Sequence, residues 1–325
     1  MRKWLFRWCG GVVVAVAVFA VAQSPPQQQT QPPAQPQQPV NQPPSGQQSD
    51  IIIREKVERV PVLFTATDRR DHFVTDLEKA DLQVSDNKRN QQIVDFIRET
   101  DLPLRVGLLV DTSNSIRDRF KFEQEAAIEF LRSIIRKGTD QVFLMSYDTN
   151  VELVQDSTDD IESLTRGIRS LKAGGGTALY DAIYEASRDK FLHSNDPVSV
   201  RRVLIVIGDG DDNNSRASRE ETLAMAQRAE AVIFTIGTNI SGTEMPGDKI
   251  LKRFSEETGG RSFFPFHLQD MTTSFQNITL ELRSQYALVF KPDTPRDGQF
   301  HRIEVVSLRR GVKVRARKGY FATSQ

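Results

Sequence analysis

The chain has 325 residues, of which 43 are Lys or Arg and 43 are Asp or Glu, so its formal net charge is zero. That balance argues against a nucleic-acid reader carried by a basic surface. Hydrophobic residues make up only 38%, low for a chain long enough to hold one or two domains of roughly 100–200 residues each.

Part of the shortfall lies at the amino end. Residues 1–22 have a basic start (Arg2, Lys3, Arg7), a short apolar run and the small-residue ending Ala20-Val21-Ala22. This is the layout of a secretory signal peptide cleaved after Ala22. The alternative is an uncleaved anchor, although the run is shorter than the ~20 apolar residues a membrane span needs. Cys9, the single cysteine, lies inside this segment and ahead of the apolar run. A lipoprotein cysteine would follow that run, so the processed chain is expected to lack thiols, disulfides and cysteine-based metal sites. The expected location is the periplasm, the cell envelope or the exterior, with membrane contact only if the signal is kept. Residues 23–50 are almost entirely Pro, Gln and small polar residues. Such a tract cannot bury enough apolar area to offset its ordering entropy, and proline extends it into a spacer.

Residues 51–100 contain VPVLFTATD (60–68), DLQVSDN (81–87) and QQIVDFIRE (91–99), short runs that read as strands. Over 101–285 apolar strands alternate with amphipathic helices. LRVGLLV (104–110), QVFLMSY (141–147), VELVQ (151–155), RRVLIVIG (201–208), AVIFTIG (231–237) and RSFFPF (261–266) are the strands. Helical spacing covers 120–137, 160–171, 178–192, 218–230, 249–259 and 270–285. This alternation predicts a doubly wound α/β domain, a mostly parallel sheet covered on both faces. Residues 286–325 return to strand patterning at 286–292, 301–308 and 312–321. Neither β segment alone would bury much of a core, so the two are expected to pair into one small sandwich-like unit flanking the α/β domain.

The chemistry concentrates in three stretches. RVGLLVDTSNS ends a strand on Asp111 and spaces Ser113 and Ser115 at alternate positions behind it. Ligands of open parallel sheets bind at the carboxyl ends of the strands. Three oxygens converging there, without nitrogen or sulfur, suit a hard divalent cation, Mg²⁺ before Mn²⁺ or Ca²⁺. GGGTAL places Thr177 behind a glycine loop at a helix start, and VLIVIGDGDDN ends a strand at Asp209. Each alone would more often be a helix cap or a turn residue. Their order along the chain favours one site.

These stretches resemble the von Willebrand factor type A domain and its metal-ion-dependent adhesion site. The family's Asp-x-Ser-x-Ser element stands as Asp111, Ser113 and Ser115, its threonine as Thr177, and its second aspartate as Asp209. The resemblance implies a Rossmann-like fold and a metal held by the two serines and the threonine directly or through water, with the aspartates often acting through water. The flanking segments, from about residue 55 to 321, look like those of exported von Willebrand factor A-related proteins of Acidobacteria.

Competing chemistries match less well. The first strand lacks the second aspartate of a haloacid dehalogenase-type phosphatase. Asp209, Asp211, Asn213 and Glu220 imitate calcium-loop spacing, but Asn214 stands where that loop needs glycine. His72, His193, His267 and His301 show neither metal-motif nor catalytic spacing, and no catalytic set emerges. Asp211-Asp212 is a variation on the family pattern that would tilt ion preference or weaken acidic ligands. The expectation is an exported, non-enzymatic module that binds a protein partner through a metal-bound Asp or Glu carboxylate. A structural subunit of an envelope assembly and a metal-dependent hydrolase are the alternatives.

Overall fold

Runs of β-branched and aliphatic residues form the strands on which the candidate site stands. In the computed structural model the described residues are 59–98, 102–114, 120–194, 200–239, 241–293 and 297–322. They fall in one unit, Glu55–Gln325. The proposed signal peptide and the Pro/Gln tract lie outside them.

The parallel part comprises β4 (Leu104–Asp111), β5 (Gln141–Tyr147), β7 (Arg201–Gly208), β8 (Val232–Gly237) and β9 (Ser262–Phe263). Strand β6 (Val151–Thr158) runs antiparallel along β5, and the order across the sheet is β6-β5-β4-β7-β8-β9. Strand β4 has neighbours on both edges and helices on both faces, which is why its sequence is continuously apolar and does not alternate. Helices α1 (Phe120–Ile134), α2 (Ile161–Ser170) and α6 (Leu268–Arg283) cover one face, around Val106, Leu108, Ile205 and Phe234. There Phe130 of α1 stacks on Phe275 of α6, with ring centroids 4.8 Å apart. Helices α3 (Leu179–Glu185), α4 (Arg219–Arg228) and α5 (Pro246–Thr258) cover the other face, around Leu109, Phe143, Val206 and Ile233. Helix α3 continues as a π-helical segment, Ala186–Leu192. From β4 the chain builds the sheet one way through β5 and β6, then returns to the other side of β4 as β7. The strand order therefore reverses between β4 and β7, and their carboxyl ends adjoin at that switch.

The second sheet is antiparallel and joins both ends of the folded chain. It comprises β1 (Val60–Thr67), β2 (Leu82–Asp86), β3 (Arg89–Ile97), β10 (Tyr286–Lys291), β11 (Phe300–Ser307), β12 (Lys313–Ala316) and β13 (Gly319–Phe321), in the order β12-β1-β10-β3-β2-β11-β13. Amino- and carboxyl-segment strands interleave, with Val60 opposite Phe290 and Val84 opposite Val305. The stretch 312–321, which reads as one strand, is two. Only Arg317 and Lys318 separate β12 from β13, yet the two occupy opposite edges of the sheet. The sheet must therefore curl until its edges meet, enclosing Val62, Phe64, Leu77, Val84, Leu288, Phe290 and Ile303. Its two facing layers are halves of one sheet.

This β unit sits against the amino ends of the parallel strands. Buried Arg201, first residue of β7, donates to the Leu282 and Leu102 carbonyls at 2.5 and 3.1 Å. Arg315 of β12 pairs with buried Glu281 near the end of α6. Arg317 pairs with Glu230 at 3.0 Å, and Arg261 with Asp71 at 2.6 Å. The opposite end of the parallel sheet is left for the candidate site.

Candidate functional site

At the switch point, β4 ends on Asp111 and β7 runs on into Asp209. The Asp111 side chain is 1% exposed. The Ser113 N–H donates to its Oδ1 at 2.7 Å, while Oδ2 is buried with no hydrogen-bond partner among the described residues. Gly208 makes room for that carboxylate, since a Cβ there would stand 2.9 Å from Asp111 Oδ2 and collide with the Tyr147 hydroxyl. Tyr147 is itself fixed, donating to the Ile207 carbonyl at 2.9 Å.

The glycine loop before α3 is tied to both strand ends. Gly174 N–H donates to the Thr112 carbonyl at 2.6 Å, and Asn114 Nδ2 to the Gly175 carbonyl at 3.3 Å. Gly176 N–H donates to Thr149 Oγ1 at 2.9 Å, just after β5. Thr177 N–H donates to Asn213 Oδ1 at 3.0 Å, and the Asn213 and Asn214 N–H groups return to the Thr177 carbonyl at 3.0 Å each. The segments carrying Asp111, Ser113, Thr177 and Asp209 are thus brought together, with Asp111, Ser113 and Thr177 buried. Ser115 lies outside the described residues.

Burial pushes the Asp111 carboxyl up to about 7. The Ser113 backbone and hydroxyl hydrogen bonds pull against that shift, and the neighbouring charge of Asp209 adds to it. Tyr147 is raised well above the ordinary phenol value by burial first, then by the charges of Asp111 and Asp209. A buried acceptor oxygen with no donor among the described residues, beside the charge of Asp209, is an environment a cation relieves. The oxygen-only donors fit a hard divalent ion. No group of three or more His, Cys, Asp or Glu with metal-binding geometry occurs among the described residues.

The acidic run beside Asp209 divides its roles. Asp212 faces α3, where its Oδ2 accepts from Tyr180 N–H at 2.9 Å and Ser215 Oγ at 2.6 Å, and so acts as a helix-start acceptor. Asp211 is exposed, and its carboxyl is raised by burial and by the charges of Asp209 and Asp248. Asn213 is spent on Thr177. Glu220 belongs to α4 and pairs with Arg219 at 2.8 Å, so the calcium-loop spacing does not converge. No local sequence pattern marks the roles of Asn213, Asp212, Thr149 and Tyr147. The sequence after β7 shows only an excess of turn-forming side chains. His72, His193 and His267 are exposed, whereas His301 is buried in the β unit beside Asp86 and Asp297.

Residues 106–211 match the von Willebrand factor type A domain family. No curated protein sequence matches the chain. Among solved structures, the PilB minor pilin from Streptococcus sanguinis is 13% identical with a TM-score of 0.45, covering 57% of this chain. This chain spans 62% of that pilin's length. BatB from Bacteroides thetaiotaomicron is 16% identical over 55% of this chain and 99% of its own, with a TM-score of 0.43. A von Willebrand factor type A protein from Catenulispora acidiphila is 11% identical over 80% of this chain and 73% of its own, with a TM-score of 0.48.

Proposed function

We propose, for a chain that carries a von Willebrand factor type A domain, that it is an exported protein-binding module whose contact depends on a divalent cation. Asp111, Ser113, Ser115, Thr177 and Asp209 would hold the ion, with Mg²⁺ the first choice and Mn²⁺ or Ca²⁺ as substitutes. The observation that carries the reading is Asp111 Oδ2, a buried acceptor with no donor among the described residues, set at the switch point and backed by Gly208.

A divalent ion bound there supplies a positive charge able to take one carboxylate oxygen of a partner's Asp or Glu. The chain's own residues do the rest. Asp111 and Asp209 provide charge from two adjacent strands, and the Ser113 N–H holds the Asp111 carboxylate in one orientation. The bonds to Asn213, Thr149 and Thr112 tie down the backbone of the loop that carries Thr177, which supports a ligand loop that needs little ordering on binding. Neutral hydroxyls leave more of the ion's charge for the partner than carboxylates would.

The test is calorimetric titration of Mg²⁺ and Mn²⁺ into the wild type and Asp111→Ala, followed by capture of envelope proteins with and without chelator. The proposal expects saturable metal binding in the wild type alone and partner release on chelation. Equal metal uptake by both proteins would remove it. Capture indifferent to chelation would favour a permanent structural subunit.

A further inference from the structure

An open, shallow depression lies on the surface of the β unit. It has a volume of about 450 Å³ and is lined by Asp68, Arg69, Arg70, His72, Arg310 and Gly311. Two turns build it. Residues 68–72 close on themselves: Asp68 Oδ1 accepts from the Arg70 and His72 N–H groups at 2.7 and 2.9 Å, and Asp68 N–H donates to the His72 carbonyl at 2.9 Å. Asp71, in the left-handed region with φ 65°, donates its N–H to the Asp68 carbonyl at 3.2 Å and pairs through its side chain with Arg261. The opposing turn follows β11. Its Arg309 is locked onto Asp76 at 2.8 and 3.3 Å, which leaves Arg310 for the cleft. Gly311, at φ 83°, has no side chain where the Arg69 guanidinium lies; a Cβ would stand 3.1 Å from Arg69 Nε.

The side chains of Arg69, Arg70 and Arg310 have no carboxylate partner among the described residues. Other arginines of this region are paired: Arg309 with Asp76, Arg315 with Glu281, Arg317 with Glu230 and Arg261 with Asp71. In a chain with no net charge, three guanidinium groups against the single carboxylate of Asp68 give this lining a charge of about +2 before His72 is counted. Guanidinium forks match tetrahedral oxyanions, and three of them offer more N–H donors than one carboxylate can accept. A phosphomonoester carries about −1.5 to −2 and three free acceptor oxygens, which fits both the charge and the donor count.

We propose that the cleft between the 68–72 and 309–311 turns is a binding site for a phosphoryl group, independent of the candidate metal site. The group belongs either to a soluble phosphate ester or to an anionic lipid headgroup.

The probes are inorganic phosphate and phenyl phosphate, titrated calorimetrically into the full chain in chelator at constant ionic strength. The expected result is saturable binding that Asp111→Asn leaves unchanged. Arg69→Gln combined with Arg310→Gln should weaken it about tenfold or more, since charge-assisted forks are lost. Arg89→Gln, which removes a charge from an exposed position elsewhere on the same sheet, should change it less than about twofold. Phosphate binding no better than chloride, an unaffected double variant, or an equal loss in Arg89→Gln would each overturn the proposal, leaving a solubilising basic surface. Sedimentation with phosphatidylglycerol vesicles, against phosphatidylcholine, then separates the sources. Capture that depends on Arg69 and Arg310 identifies a lipid headgroup, and phosphate binding without capture identifies a soluble ester.

Discussion

Thr177 and Asp111 should fail in different ways. Thr177→Ala removes one hydroxyl and no charge, so it should lower Mg²⁺ affinity roughly 10- to 100-fold while melting in chelator stays unchanged. Asp111→Asn should abolish the response to Mg²⁺. In chelator it should melt as high as the wild type or above it, by about 2–4 °C for each 1 kcal/mol recovered, because the charge of a largely desolvated carboxylate is gone. Gly208→Ala should mimic that loss of metal response from a residue with no ligand atom, since its Cβ would press on Asp111 Oδ2 and the Tyr147 hydroxyl. Metal-induced shifts in melting temperature read all three, and an unchanged response in Gly208→Ala would show that the carboxylate can relocate. Asp111, Thr177 and Asp209 were legible because a ligand set leaves side chains of one chemistry at ordered places. The supports were not. Asn213 reaches Thr177 across 36 residues, and no local pattern marks such a bond.

Capping at the element scale is open to the same kind of test. Ser218 caps α4, accepting from Glu221 N–H at 3.3 Å while Glu221 Oε2 takes the Ser218 N–H at 2.9 Å. Ser218→Ala should lose about 1 kcal/mol in denaturant titration, with metal binding intact. Helix α5 starts at Pro246, earlier than the apolar periodicity from Lys249 indicates, because its first turn is set by Pro246 and by Asp248 accepting from Met245 N–H at 2.8 Å. The division of 312–321 into β12 and β13 had no local sign, as the alternation runs straight through it. Docking imposes the break: Lys318 N–H donates to the Glu257 carbonyl at 3.1 Å, beyond the reach of any pattern in the strand. Across the neighbouring strands β2, β11 and β13, buried His301 faces Asp86 at 3.2 Å and Asp297 at 3.2 Å, and Tyr320 donates to Asp86 at 3.0 Å. Burial lowers the His301 value, but the two carboxylates outweigh it and the net shift is upward. A raised folded value means that this stabilisation is complete below the ordinary histidine value of about 6.5 and fades as pH rises through the folded one. Melting temperature should therefore fall as pH rises from about 6.5 through the raised folded value, and His301→Gln should flatten that slope.

The whole molecule depends on its two ends meeting. Strand β10 lies between β1 and β3, so removing residues 286–325 would strip both of a partner and open the core around Phe64 and Val84. Such a truncated chain should aggregate or lose cooperative melting, and unchanged solubility would show that the first segment has its own core. The pairing of the two ends was legible from size alone; the curl of the sheet was not, because it follows from where the edges of seven strands fall. That curl carries a consequence in time. Residues 60 and 290 are partners in the sheet, yet at about 5–20 residues per second a ribosome needs roughly 10–50 s to make the chain between them. For that interval β1, β2 and β3 exist with open edges, while the parallel sheet between them becomes complete. Synthesis stalled after residue 285 should therefore yield chains whose middle resists protease and whose first strands do not, and those strands would need a holding factor until the last forty residues arrive.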